Sequence, residues 1–247
     1  MIYILFLIGL VVGSFLEALT YRLPRGESVL RGRSKCPKCK KTIRWHDNIP
    51  LISFALLSGK CRDCGEKIST RCPLIEISTA VIFVFIWQFY TGRLPLPLVF
   101  VVSSLMIAIF VIDLEHRIIP DSLTFLGLGV VLILFLVTDI PLLYIYLASG
   151  AGAALFLLLL NLVTQGRGMG LGDVKLALFS GLVLGYPVVI LWILIAFIAG
   201  ALVGIILIAM GRAKLKQKIA FGPFLVFSFL ISLMFGEYIS FLLFPYL

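Results

Sequence analysis

The feature that most constrains this chain is a series of apolar runs, each about 18 to 22 residues long and separated by short polar segments. A helix of about 20 apolar residues crosses the hydrocarbon core of a bilayer and satisfies its own backbone groups there. Hydrophobic residues make up 61% of the 247 residues and charged residues only 13%, against roughly 25% charge in soluble domains. The sequence therefore predicts an all-α polytopic membrane protein with about eight transmembrane helices.

Turn signals between the runs set the predicted topology. The predicted organisation is a first transmembrane helix at 1–20, a cytoplasmic zinc-binding loop at 21–72, and a transmembrane bundle at 73–247. The predicted spans are 1–20, 72–90, 98–114, a fourth from 121 to the turn at 139–141, a fifth from that turn to 163, 174–185, 187–210 and a last one after 221–223. No internal repeat is evident beyond the apolar runs.

The basic residues are concentrated in one loop. Of the 21 Lys and Arg, 13 lie between Arg22 and Arg71 with only 4 acidic residues, so this segment carries the whole net charge of +9. Such a loop is typical of the cytoplasmic side of a membrane protein, and it argues against nucleic-acid binding and for the lipid bilayer as the partner. Because the basic residues follow the first apolar run instead of preceding it, 1–20 is predicted to be a retained helix rather than a signal peptide.

The same loop contains four cysteines in two C-x2-C pairs, Cys36 with Cys39 and Cys61 with Cys64. Two such pairs supply four thiolates for a tetrahedral zinc ion, and a site with four cysteines is structural because it leaves no position for a catalytic water. Two disulfides are the alternative, which a reducing cytoplasm disfavours. Cys72 is expected to be a packing residue.

Two acids stand at the ends of apolar runs, Asp113 and Asp173. An ionisable residue in a membrane helix costs roughly 2.5 to 3.5 kcal/mol at the helix centre and therefore indicates function. With the predicted topology both acids lie at the cytoplasmic ends of their spans, where two close carboxylates would share a proton and support aspartic-protease chemistry. Pairing of Asp113 with Arg117 along one helix is the structural alternative.

Several motifs in chain order resemble those of the type IV prepilin peptidases, membrane aspartic proteases with a GxGD sequence. The motifs are Gly13-Ser14-Phe15-Leu16, Tyr21-Arg22-Leu23-Pro24, the four cysteines, Arg71 with Pro73-Leu74-Ile75-Glu76, Asp113 with Ile119-Pro120-Asp121, Gly170-Leu171-Gly172-Asp173-Val174-Lys175, and Phe221-Gly222-Pro223-Phe224. Two positions depart from the family pattern. Glu17 replaces the usual asparagine and Cys72 the usual tyrosine.

The resemblance implies a bacterial inner-membrane enzyme that removes the short basic leader from prepilin-like precursors at the cytoplasmic face. It implies Asp113 and Asp173 as the catalytic pair, supported by Gly170, Gly172 and Lys175. Lys175 either offsets the charge of the pair or marks the membrane boundary.

The resemblance also implies that S-adenosylmethionine donates a methyl group to the new N-terminus. Glu17 and Glu76 are candidates for contact with this donor or the substrate. The alternative for these two acids is ion pairing with Arg22 and Arg71, and Asp121 is expected to cap its helix.

Two other functions fit parts of the pattern. A leader peptidase without methyltransferase activity would keep the zinc loop as a docking platform. A proton-coupled carrier would use the acids as a relay, although a relay needs acids at several depths and these two share one side of the membrane.

Overall fold

The computed structural model describes residues 1–29, 32–92, 94–137, 143–166, 168–211 and 220–243. Within these ranges the chain is almost entirely helical and contains no β-strand, so the predicted all-α class is confirmed. The predicted turn at 139–141, the basic loop at 212–218 and Arg93 lie outside the described residues. The helices are α1 (Ile2–Arg22), α2 (Ile52–Leu56), α3 (Arg71–Phe89), α4 (Leu96–His116), α5 (Asp121–Val137), α6 (Leu143–Val163), α7 (Leu171–Leu184), α8 (Val188–Ala209) and α9 (Gly222–Leu243).

Among the described helices, six are long and apolar enough to cross a bilayer, namely α1, α3, α4, α6, α8 and α9. α5 has 17 residues and α7 has 14. A helix with the length of α7 extends about 21 Å, less than the roughly 30 Å of a typical hydrocarbon core. Each of the eight predicted spans thus corresponds to an apolar helix. That all eight cross the membrane stays a prediction.

The chain forms two compact units, Met1–Phe89 and Tyr90–Leu247. The predicted topological division into 1–20, 21–72 and 73–247 stays a prediction. In the first unit, α1 packs closely along α3 because α1 carries glycines four residues apart, a spacing typical of tight membrane helix pairs. A methyl group on Gly9 would lie 2.5 Å from the Cα of Ala80, and one on Gly13 would lie 2.6 Å from the Cα of Glu76.

In the second unit, α7 packs against α5, α6, α8 and α9. Its Leu176, Ala177 and Phe179 side chains are completely buried. Gly181 meets α6 so closely that a methyl group on it would lie 2.8 Å from the Cα of Gly150. The short helix is therefore held on several sides, and this packing fixes the position of its first turn.

One predicted boundary is wrong, and the difference matters for Asp173. The glycine-rich stretch was predicted to be a turn, with a helix starting only at residue 174. α7 instead begins at Leu171, with Gly170 as its N-cap, so that Gly172 and Asp173 lie within the first helical turn. An acid three positions after the N-cap bonds the free backbone N–H of the helix start, which stabilises the turn despite the glycine.

Candidate active site and metal centre

The four cysteines lie in two copies of one nine-residue hairpin, a repeat that the sequence analysis missed. Residues 35–43 and 60–68 each have a lysine before the first cysteine and an isoleucine four residues after the second. In both copies the N–H of the first cysteine bonds the carbonyl five residues later, at 3.0 Å and 2.7 Å. The residue after the second cysteine has positive φ in both, 60° at Lys40 and 69° at Gly65.

The two hairpins bring their sulfur atoms together. The Sγ atoms of Cys36, Cys39, Cys61 and Cys64 lie within 4.8 Å of one another. The Sγ atoms of Cys36 and Cys64 are 3.8 Å apart, and a tetrahedral zinc site with Zn–S bonds of about 2.3 Å has sulfurs about 3.8 Å apart. All five cysteines of the chain are free thiols, so the disulfide alternative finds no support and the donor set fits zinc.

Two ion pairs connect the hairpins to each other. Lys38 of the first pairs with Glu66 of the second, and Lys41 of the first pairs with Asp63 of the second at 3.0 Å. These side chains are largely exposed, so the pairs orient the hairpins and add little stability. The sulfur cluster itself remains the main link between the two hairpins.

The candidate methyltransferase residue Glu17 belongs to a polar cluster between α1 and α3. Arg71 donates from Nη1 to Glu17 at 3.3 Å and from Nη2 to the hydroxyl of Thr20 at 2.8 Å. The thiol of Cys72 also donates to Glu17, at 3.4 Å. The expected ion pairing is therefore present for Glu17, with Arg71 as its partner instead of the sequence neighbour Arg22.

The second candidate, Glu76, is buried on α3 with 7% of its surface exposed. Its Oε2 accepts a hydrogen bond from the N–H of Leu51 at 2.9 Å, and Leu51 has the unusual backbone angles φ 57° and ψ −45°. Both carboxylates thus already bond protein donors and help to position the loop. A role for Glu17 or Glu76 toward a methyl donor stays a prediction.

Asp113 lies in the last turn and a half of α4 with only 4% of its surface exposed. Its Oδ2 is buried and makes no well-formed hydrogen bond within the described residues, although the backbone N–H of Gly222 lies near the carboxyl group. A buried carboxylate oxygen without a partner is costly, which makes it a strong candidate for a group that acts on a substrate or a water. Within the described residues, Asp113 forms no ion pair with Arg117, the partner in the structural alternative.

Gly222 at the start of α9 lies directly against Asp113. A methyl group on Gly222 would collide with Oδ2 of Asp113 and would lie 3.3 Å from the Cδ1 of Ile119. A Cβ atom there would force the carboxyl end of the Asp113 side chain to move. Gly222 therefore helps to set the position of the Asp113 carboxyl group.

If Asp113 acts in precursor cleavage, as the resemblance implies, we expect Gly222→Ala to lower the cleavage rate by at least about tenfold, since a displacement of about 1 Å at a reacting group can cost 100-fold. The measurement is the initial rate of precursor cleavage by purified protein. Gly129→Ala is the matched control, because a Cβ atom there meets nothing within 4 Å. Equal rates for the Gly222 variant and the control would contradict this role.

Asp173 has 7% of its surface exposed. Its Oδ2 accepts a hydrogen bond from the N–H of Gly170 at 2.9 Å. The two predicted support glycines differ in their surroundings. A Cβ atom on Gly170 would make an ordinary contact of 3.6 Å with Oδ2 of Asp173, whereas one on Gly172 would lie 3.1 Å from the Cβ of Ile119. Close packing thus favours glycine more strongly at 172 than at 170.

The two aspartates lie in one region of the second unit. Ile119 contacts Gly172 beside Asp173, and it lies close to Gly222, which touches Asp113. The structure therefore brings into one region two acids that are 60 positions apart in the chain. Their catalytic role stays a prediction.

Asn161 at the end of α6 is a site residue that sequence reasoning missed. Its side-chain amide donates to the carbonyl of Met169 at 2.5 Å. That carbonyl belongs to the same peptide group as the N–H of Gly170, which bonds Asp173. Hydrogen bonds in such a chain polarise one another. Asn161 is therefore a positioning residue that acts on Asp173 through one peptide group.

We expect Asn161→Leu to lower the cleavage rate about five- to tenfold, since a net hydrogen bond is worth about 1 to 1.5 kcal/mol. Initial rates over a range of precursor concentrations would separate an effect on kcat from one on KM, and the loss is expected in kcat. Thr164→Val is the matched control, because the Thr164 hydroxyl bonds only carbonyls of its own helix, at 2.7 Å and 3.3 Å. A loss confined to KM would speak against this positioning role.

Lys175 pairs with Asp121, and not with the predicted catalytic aspartates that it was expected to support. Its ammonium group pairs with the Asp121 carboxylate at 2.7 Å and 2.8 Å, and it lies 5.7 Å from the centre of the Phe125 ring. Asp121 is in the first turn of α5, where the helix dipole stabilises its negative charge. The pair connects α5 to α7. A supporting role for Lys175 toward the aspartates stays a prediction.

A bundle of apolar helices with two buried acids in one region and a four-cysteine hairpin pair defines a membrane protein with a candidate acid active site. Residues 7–90 match the Bacterial Peptidase A24 N-terminal domain, and residues 100–205 match the Type IV leader peptidase family. The chain belongs to the type IV leader peptidase family, so the resemblance is confirmed. Its apolar helices and family make it a multi-pass bacterial inner-membrane protein.

Relatives named prepilin leader peptidase/N-methyltransferase include proteins from three bacteria. The Pseudomonas aeruginosa protein is 32% identical, over 95% of this chain and 90% of that protein. The Bacillus subtilis protein is 31% identical, over 96% of this chain and 95% of that protein. The Myxococcus xanthus protein is 40% identical over 50% of this chain, and the match spans only 37% of that protein. No solved structure matches the chain significantly.

Proposed function

We propose that this protein cleaves the short basic leader from type IV prepilin-like precursors, with Asp113 and Asp173 as the catalytic pair. The observation that carries the proposal is the pair itself. The two acids are both buried, glycines beside each of them pack near the same residue, Ile119, and one acid has a buried oxygen without a partner among the described residues. The names of the relatives support the substrate class.

The proposed reaction is hydrolysis of one peptide bond. Two close carboxyl groups hold one proton between them. The ionised group takes a proton from water, the water oxygen attacks the scissile carbonyl carbon, and the protonated group donates its proton to the carbonyl oxygen. When the tetrahedral species collapses, the C–N bond breaks, the leaving amine takes the proton that one carboxyl group received from water, and a hydroxyl of the tetrahedral species returns its proton to the other carboxylate. The hydrogen bond from Gly170 holds one carboxyl group in place.

The proposed orientation puts this reaction on the cytoplasmic side of the membrane. The loop that carries the net charge of +9 between Arg22 and Arg71 supports it, because basic loops stay in the cytoplasm. With that loop inside, α4 ends and α7 begins at the cytoplasmic face, where Asp113 and Asp173 lie on these helices. A precursor in the same membrane could then present its leader junction to the pair.

We further propose a structural zinc ion on the four cysteines and N-methylation of the new N-terminal residue with S-adenosylmethionine as methyl donor. The S–CH3 bond of the donor would break, the methyl group would be transferred to the amine nitrogen, which loses a proton, and S-adenosylhomocysteine would leave. The names of the relatives support this second activity. A second candidate, a leader peptidase without methylation, is kept because Glu17 is already paired with Arg71.

One experiment tests these activities together. The purified full chain is reconstituted with a precursor that contains a leader and a hydrophobic segment, with and without S-adenosylmethionine, and both products are read by mass spectrometry. Cleavage without the donor supports the peptidase, and one added methyl group on the new N-terminus with the donor supports the transferase. Cleavage without an added methyl group would leave the second candidate. No cleavage at all would reject the proposal.

A further inference from the structure

The loop between α1 and α3 carries an exposed apolar edge that neither the cysteine cluster nor the aspartates use. We define this apolar edge as Trp45, Ile49, Ile52 and Leu56, with exposed fractions of 77%, 37%, 57% and 79%. Ile52 and Leu56 lie one turn apart on α2 and so share a face. Trp45 begins the 3₁₀ turn Trp45–Asn48, which contacts α2. Four large apolar side chains on one small element indicate a contact surface.

The depth of the apolar edge relative to the ends of α1 and α3 follows from the contact that its neighbour Leu51 makes with α3. Leu51, the residue just before α2, donates its N–H to Glu76 at 2.9 Å. Glu76 lies five residues after Arg71, the start of α3, or about 7.5 Å along the helix. On the other side, Gly13 touches Glu76, about 13 Å before the end of α1. The start of α2 therefore lies beside the apolar bodies of two membrane-capable helices, and not beyond their ends.

The charge around the apolar edge fits a lipid surface. The segment from Arg22 to Arg71 carries 13 basic and 4 acidic residues, and basic segments near a membrane are attracted to anionic lipid headgroups. Tryptophan is enriched at the membrane–water interface, where its ring contacts acyl chains and its N–H contacts polar headgroups. Exposed apolar side chains within a basic segment are typical of an element that lies in the interface.

We propose that the apolar edge inserts into the boundary between headgroups and acyl chains of the anionic bilayer that holds α1 and α3. The insertion anchors the cysteine hairpins at the membrane surface. Leu51 and Glu76 set the depth of the anchor, because their hydrogen bond joins the loop to α3 at one level. This surface is independent of the proposed catalytic activities.

The test uses the full chain reconstituted in phosphatidylglycerol and phosphatidylcholine vesicles that carry a nitroxide either near the headgroup or at the end of the acyl chain. The signal of Trp45 is the emission of the wild-type protein minus that of Trp45→Phe. We expect the shallow nitroxide to quench this signal more strongly than the deep one, and aqueous iodide to quench it weakly.

The Ile52→Ser/Leu56→Ser double variant removes the two most accessible aliphatic side chains of α2. We expect it to lose the shallow quenching of Trp45 and to gain quenching by iodide, with unchanged zinc content as evidence that the hairpins remain folded. Trp87 on α3 is the internal control, because its quenching should not change.

Two results would overturn the proposal. Strong iodide quenching of wild-type Trp45 without nitroxide quenching would place the edge in water. Protection from iodide and from both nitroxides would show that protein covers the edge, either a second copy or a bound substrate.

Discussion

Replacing Asp113 or Asp173 by asparagine is expected to lower precursor cleavage by about 100- to 10,000-fold, the usual contribution of a positioned proton-transfer group. Asparagine keeps the shape of the side chain but can neither accept the proton of a water nor donate one to a carbonyl. Both aspartates are buried, with 4% and 7% of their surfaces exposed. Each substitution therefore changes the chemistry of the site while preserving its packing.

The effects of the two substitutions should not add. If the two carboxyl groups share one proton, either single variant already removes the working unit, and the double variant should be no slower. Initial cleavage rates of the two single variants and the double variant, at equal amounts of inserted protein, test this. Additive losses would instead indicate two independent contributions.

Glu115→Gln is the control for these variants. Glu115 is on the same helix as Asp113, two residues later, but its side chain is exposed and lies near His116. The Glu115→Gln variant should cleave the precursor at the wild-type rate. Retained cleavage in Asp113→Asn or in Asp173→Asn would reject the assignment, and lost cleavage in Glu115→Gln would show that the helix end tolerates no change of charge.

The helices were predictable because a long apolar run is a property of composition, which a sequence displays directly. The start of α7 was not. Glycine suggests a turn, but the bond from Gly170 to Asp173 and the packing of Gly172 on Ile119 stabilise a helix there. The sequence contains Asp173 three positions after Gly170, and this spacing was a usable signal for the helix start.

Contacts between distant residues were the least predictable part of the candidate site. Nothing in the local pattern indicates that Lys175 pairs with Asp121, 54 positions away, or that Leu51 bonds Glu76, 25 positions away. Such partners are decided by how helices pack, and packing depends on the whole fold. The repeat of the cysteine hairpins, by contrast, was present in the sequence as two equivalent patterns of lysine, cysteine and isoleucine.

Substitution of a single cluster cysteine, Cys36→Ser or Cys61→Ser, is expected to remove bound zinc almost completely. Structural zinc sites bind with apparent free energies of about 10 to 16 kcal/mol near neutral pH, and such binding is also folding free energy for a small domain. The exposed ion pairs between the hairpins cannot replace it. We therefore expect the loop to unfold locally.

The α1–α3 pair should survive this change, since Gly9 and Gly13 pack on α3 without any contribution from the metal. Metal analysis of the purified protein and limited proteolysis of the basic loop are the measurements. Cys72→Ser is the matched control, because its thiol bonds Glu17 and lies outside the sulfur cluster. Zinc retained in both cluster variants, or lost in the control, would refute the predicted site.

The pH dependence of zinc binding has a definite sign. Hydrogen bonding from the backbone N–H of Cys39 lowers the pKa of the Cys36 thiol from 9.0 to about 7. Burial and mutual hydrogen bonding within the sulfur cluster raise the pKa of the neighbouring Cys64 thiol to about 11, so no single thiol pKa sets the release. Because zinc binds thiolates, metal should be released progressively as the pH falls and protons compete for the sulfurs. Hydrogen bonds from Arg62 keep the pKa of Asp47 below its usual 3.8, so this pair remains ionised during the release. Loss of metal in mildly acidic buffer with α1 and α3 still helical would therefore assign the release to the thiolates, and not to general acid unfolding of the loop.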